Sequence, residues 1–129
     1  LPRHLTMLQG LERRIDADAA LHADLRLVGE SPVVRRAFAR CGALTAADHR
    51  PVPHVRYWLD ARPGSVGTVE DGASAPAGLF LAPRKVPLTT RIYRENFPRA
   101  AAPETYRPLY SNGSWRVDAA PRCIRRPRA

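Results

Sequence analysis

Few side chains in this sequence stand at the spacings that chemistry requires. His4, His22, His49 and His54 are scattered rather than clustered. His49 and His54, with Asp48 or Asp60, come nearest to a metal-ligand set, but the paired ligand spacing of zinc sites is missing. A nucleophile needs an oriented base and an oxyanion site. Cys41 follows Arg40 at the expected end of a helix, where the dipole opposes a thiolate. Ser65, Ser111 and Ser114 have no motif around them, and Gly64 and Gly67 do not stand between a strand and a helix as a phosphate loop would. Cys41 and Cys123 are isolated and read as buried or idle thiols rather than a disulfide framework. The expectation is a chain that is not an enzyme, with no catalytic, cofactor-binding or metal-ligating residues and no cofactor.

The aromatic residues carry more information. Tyr57, Trp58, Tyr93, Phe97, Tyr106, Tyr110 and Trp115 sit in proline-flanked stretches among arginines. That pattern suits stacking on single-stranded nucleic acid, and it equally suits anchors of a chain crossing a protein surface. Composition does not choose between them. The net charge is +9, with twenty arginines against the single Lys85. Residues 82–129 hold eleven basic and three acidic groups, whereas residues 1–30 hold four and five. An acidic partner for the second half follows, through arginine's bidentate fork. A coding bias that enriches Ala, Arg and Pro together accounts for the same arginine count.

The elements that must position these residues divide the chain unevenly. Thr6 and Gln9 form a capping box, and Leu8, Leu11, Ile15, Leu21 and Leu25 recur at helical steps up to Gly29. A second helix is bounded by Ser31 as N-cap, Pro32 at its first position and Gly42 beyond its end. Val33, Val34, Ala37, Phe38 and Cys41 form its apolar side. Helix–turn–helix binding to DNA is disfavoured, because Val33 and Val34 occupy the base-reading positions. A short third turn opens at Thr45, with Asp48 as its reciprocal cap, and Pro51 and Pro53 stop it. Thirteen prolines and eight glycines then argue against long elements. The expected fold is α plus irregular coil, small α+β at most. It has an amphipathic N-terminal helix, a short second helix and an extended proline-rich C-terminal half lying on partner subunits. The expected division is 1–60 helical with a Pro/Trp step, 61–83 a loop or insertion, and 84–129 an extended basic segment. No apolar run reaches the roughly 18 residues that span a bilayer. The sequence opens on Leu1, which fits a processed presequence or a trimmed piece.

The run Pro87-Leu88-Thr89-Thr90-Arg91 leads through Asn96 and Phe97 to Pro103-Glu104-Thr105-Tyr106-Arg107-Pro108-Leu109-Tyr110. This resembles the C-terminal signature of a complex I accessory family, the NADH dehydrogenase alpha-subcomplex subunit 12 family. There a proline-leucine-threonine step precedes a basic residue, an asparagine, and a proline-glutamate-any-tyrosine-any-proline stretch. Pro53, Trp58 and Leu59 match a second block, with His54 and Val55 where the family has glutamate and tryptophan. Leu27-Val28-Gly29-Glu30 is similar to a third. The chain departs between Glu30 and Pro51, where the family has a longer segment with aromatic-rich strands.

The resemblance implies a non-catalytic supernumerary subunit on the matrix side of the mitochondrial inner membrane. It would lie over the iron–sulfur subunits of the matrix arm near its junction with the membrane arm, touching the membrane only through the complex and binding no nucleic acid. Partner contacts are then expected from Leu8, Leu11 and Ile15; from Trp58 and Leu59; from Pro87, Leu88, Thr89, Arg91, Tyr93 and Asn96; and from Pro103, Glu104, Tyr106 and Pro108. An assembly factor of the same family is the near alternative. A mitochondrial ribosomal protein that binds RNA in a salt-sensitive way is the alternative from another class. With so little core expected, the isolated chain is expected to be largely unfolded.

Overall fold

The computed structural model describes residues 19–47, 50–69, 77–84 and 102–124. Residues 19–30 are helical (α1), and Leu21, Leu25 and Val28 share one buried face at steps of four and three. Ser31 separates α1 from α2 (Pro32–Cys41), accepting the Val34 amide on its Oγ at 3.4 Å. Pro32 occupies the first turn, where its missing amide costs nothing. Gly42, at φ 64°, closes the helix through its own amide to the Phe38 carbonyl. These boundaries are the ones that the capping residues predict.

Beyond Gly42 the structure departs from expectation. Leu44–Ala46 is a strand (β1) where a third helical turn was expected. Pro51 and Pro53 begin a helix, α3 (Val52–Trp58), instead of ending one. The segment read as loop or insertion contains β2 (Val66–Thr68) and β3 (Leu79–Pro83). The C-terminal part folds as a hairpin of β4 (Arg107–Ser111) and β5 (Trp115–Ala119), followed by a single turn, α4 (Pro121–Ile124).

The strands form one five-stranded mixed sheet in the order β2-β1-β3-β5-β4. β1 runs parallel to β2 and β3, with α3 crossing over between β1 and β2. β5 runs antiparallel to both β3 and β4. The chain is therefore an α+β fold, and the expectation of α plus irregular coil with an extended C-terminal half is overturned. Density of prolines was a misleading guide, because several of the described ones fall where a missing amide is harmless. Pro32, Pro51 and Pro53 sit at helix starts, Pro83 ends β3, and Pro108 lies in β4 at the edge of the sheet.

Register shows how the core is assembled. Leu44 lies between Val66 and Leu79, and Leu79 faces Ala119. Ala46 neighbours Leu81, which faces Val117, and Trp115 pairs with Pro83. This face joins Leu21, Leu25, Val28, Val34, Ala37, Val55 and Leu59 in one buried cluster. Thr45, Phe80 and Asp118 are neighbours on the opposite face, and each is less than a tenth exposed. β1 and β3 are thus buried on both faces, which removes the two-residue alternation that would have marked them as strands.

Cys41 and Cys123 form a disulfide, with Cα atoms 5.0 Å apart at a sequence separation of 82. It ties the end of α2 to α4, correcting the reading of these residues as free thiols. Arg122 reinforces the junction by donating to the carbonyls of Cys41 and Ala77. A covalent loop of this length constrains the unfolded chain strongly, on the order of 4 kcal/mol. Given the closed core, the isolated chain should unfold in one cooperative urea transition. The double variant Cys41→Ala/Cys123→Ala should lose about 4 kcal/mol of unfolding free energy. A gradual, non-cooperative profile for the parent chain would contradict the fold described here.

Candidate functional site

Two side-chain assemblies deserve separation, because one holds the fold and the other faces outward. The first begins at the β4–β5 turn. Asn112 Oδ1 accepts the backbone amides of Ser114 and Trp115 at 3.1 and 3.0 Å, an arrangement typical of Asn in turns. Its Nδ2 donates to the Asp24 carbonyl at 2.8 Å and to Tyr110 Oη at 3.3 Å. Ser114 Oγ donates to Asp24 Oδ2 at 2.5 Å, and the buried Trp115 indole donates to the Leu21 carbonyl at 2.9 Å. Ser114 is buried and its hydroxyl is committed to a carboxylate. The group therefore clamps the hairpin to α1.

The second assembly lies across α1 and α3. Their approach depends on Gly29, where an added Cβ would collide with the Cβ of Trp58 and stand 2.9 Å from its Cγ. With no side chain in the way, Trp58 lies over α1, and the Arg26 guanidinium sits 5.0 Å from its ring centroid. Glu30 holds Arg26 from one turn further on, at 2.8 Å. That hydrogen bond, with the Glu30 charge, pushes the Arg26 pKa up from its ordinary value. Tyr57 stands edge-on to Trp58 at 5.1 Å and is 75 % exposed. His22 and His54 complete the row, with ring centroids 5.3 Å apart. Arg35 fixes the junction from α2, donating to the carbonyls of Gly29 and Trp58 at 3.3 and 3.0 Å. One guanidinium thus meets the C-terminal ends of α1 and α3, where carbonyls lack helical partners and the dipole favours a cation.

Two open grooves lie elsewhere. One of about 410 Å³ is lined by Arg84, Pro108, Leu109, Tyr110, Ser111 and Arg116. The other, about 660 Å³, is bordered by Glu104, Tyr106, Arg107 and residues of α4.

Comparison with family models, curated proteins and solved structures finds no match.

Of the residues expected to touch partners, Leu8, Leu11, Ile15, Pro87, Leu88, Thr89, Arg91, Tyr93 and Asn96 lie outside the described residues. Trp58 is half-buried on the α1–α3 face, whereas Leu59 is 7 % exposed and belongs to the core. Pro103 and Glu104 are exposed in a turn closed by the Tyr106 amide to the Pro103 carbonyl, at 3.0 Å. Tyr106 packs partly against the core, and Pro108 lines the smaller groove. The structure does not gather Trp58 with the 103–108 group by any direct contact among those described. Sequence reasoning missed His22, Arg26 and Tyr57 as members of one face. His22 and Arg26 stand one helical turn apart, a legible signal. Their meeting with α3 is tertiary and has none.

Gly29→Ala tests this geometry. In an open helix the change would gain up to about 1 kcal/mol. Here it should cost about 1–3 kcal/mol in urea unfolding, since the rigid base of Trp58 must shift. A stabilised variant would show that α1 and α3 do not pack as described.

Proposed function

We propose that the chain is a non-catalytic accessory subunit that docks on a larger protein complex, and that, following the resemblance of residues 87–110, this complex is respiratory complex I. The observation that carries docking is the α1–α3 face. Tyr57, Trp58, Arg26 and two histidines crowd one surface, with Tyr57 three-quarters exposed although it is large and partly apolar. Tyr, Trp and Arg are the residues that most often dominate binding energy at protein interfaces. The fixed orientation of Arg26 and Trp58 lowers the ordering cost of association. Leu27, half exposed on α1, adds apolar area to the same helix. On this reading the complex I neighbours are subunits of the matrix arm, and the contact is structural rather than catalytic.

A second placement is favoured by the disulfide. Disulfides persist in oxidising compartments and are rare where thiols are kept reduced. The same docking domain in an extracytoplasmic or intermembrane setting accommodates the Cys41–Cys123 bond more readily than the matrix does.

One experiment addresses both points. Native complexes are separated after gentle solubilisation, and the chain is followed against in-gel NADH dehydrogenase activity. Co-migration with that activity is expected for the parent. The exposed variant Tyr57→Ala should fold normally and weaken association by about 2 kcal/mol, near 30-fold. Absence of co-migration, with oxidised cysteines found by thiol alkylation of the native chain, would reject complex I and leave the second placement.

A further inference from the structure

We propose that His22 and His54 form a surface chelating site for a divalent transition-metal ion of borderline softness, Zn²⁺, Ni²⁺ or Cu²⁺. Both residues are exposed, and their rings face one another edge-on, with centroids 5.3 Å apart and planes inclined by 71°. Two imidazole nitrogens bound at about 2.0–2.1 Å to one tetrahedral ion place their ring centroids about 5 Å apart. The observed spacing matches that separation.

The backbones are held in place from behind. His22 lies between Leu21 and Leu25 on α1, and His54 adjoins Val55 on α3, all three apolar residues being buried in the common core. Arg35 joins the ends of the same two helices through the Gly29 and Trp58 carbonyls. A chelate that forms without ordering its backbone loses less entropy on binding. The nearby cation on α1, Arg26, is paired with Glu30 at 2.8 Å, which reduces its repulsion of an incoming ion.

Among the described residues, no group of three or more His, Cys, Asp or Glu gathers to hold a metal. The site thus supplies two imidazole nitrogen ligands and leaves the other coordination positions to water. Imidazole suits these ions, and among them the affinity order places Cu²⁺ highest. Calcium and magnesium are disfavoured, since they require oxygen ligands. The inference is independent of the docking function, because it needs only the two histidines and their helices.

The test is isothermal titration of the chelator-treated full chain with nickel chloride or zinc chloride. One ion per chain is expected, and it should be removed again by a chelator. His22→Ala and His54→Ala should each weaken binding by more than about tenfold. His22→Gln and His54→Gln should do the same, while circular dichroism and cooperative unfolding stay unchanged at these exposed positions. His4→Ala and His49→Ala should bind as the parent does. Binding that survives loss of either His22 or His54, or that depends on His4 or His49, overturns the proposal.

Discussion

The structure depends on how the last hairpin is fastened to the first described helix. Asn112 is the centre of that fastening. Its carbonyl oxygen satisfies two amides of its own turn, and its amide group reaches the Asp24 carbonyl 88 residues away. Trp115 adds a buried indole bond to Leu21, one turn earlier on the same side of α1. Each of these polar groups would be expensive to bury without its partner, on the order of 1–3 kcal/mol. Their mutual satisfaction therefore selects one rotation of α1 about its axis. Leu21, Leu25 and Val28 then face the sheet, and His22 and Arg26 necessarily face away from it. The outward face follows from the inward clamp.

The same logic extends to α3, which carries the other half of that face. Gly29 allows the Trp58 side chain to approach α1 closely, and Arg35 holds two helix ends with one side chain. Buried Val55 and Leu59 set the inward direction of α3. In a seven-residue helix this leaves His54 and Tyr57 exposed and Trp58 at the boundary. Chain connectivity contributes as well. α3 is the crossover between the parallel strands β1 and β2, so it must lie against one face of the sheet, as α1 does.

How much of this could be read from the sequence varied with the kind of signal. The bounds of α2 were legible, because Ser31, Pro32 and Gly42 act within one turn of themselves, although Val33, expected on its apolar side, is exposed. The buried side of α1 was legible in Leu21 and Leu25 for the same reason. The strands were not. Leu44-Thr45-Ala46 and Leu79-Phe80-Leu81 are buried on both faces, so alternation is lost and a three-residue run resembles a helical turn. Prolines were weighed by their number, whereas their position decides their effect. The pairing of Cys41 with Cys123 leaves no local trace at all. Trp58 was expected to contact a partner from its neighbours in sequence, and the structure places it half-buried against Gly29 of α1. Its companions Arg26 and His22 are brought to it only by folding.

The arginine excess also acquires a physical reading alongside coding bias. Arg35 caps Gly29 and Trp58, Arg36 donates to the Pro32 carbonyl, and Arg40 reaches the Ile124 carbonyl. Arg84 donates to the Asn112 carbonyl, and Arg122 binds Cys41 and Ala77 across the disulfide junction. Lysine offers a compact ammonium on a flexible stem, but a guanidinium presents five donors in a planar fork and can serve two carbonyls at once. Among the described residues α2, α3 and α4 and the five strands are short, so unsatisfied carbonyls at element ends are numerous there. Arginine meets that need while keeping its charge. A carbonyl does not neutralise the cation it binds, so the surface remains positive after the fold has used its donors. Orientation is then fixed by the protein's own backbone, and the charge is left to attract whatever acidic surface the domain meets.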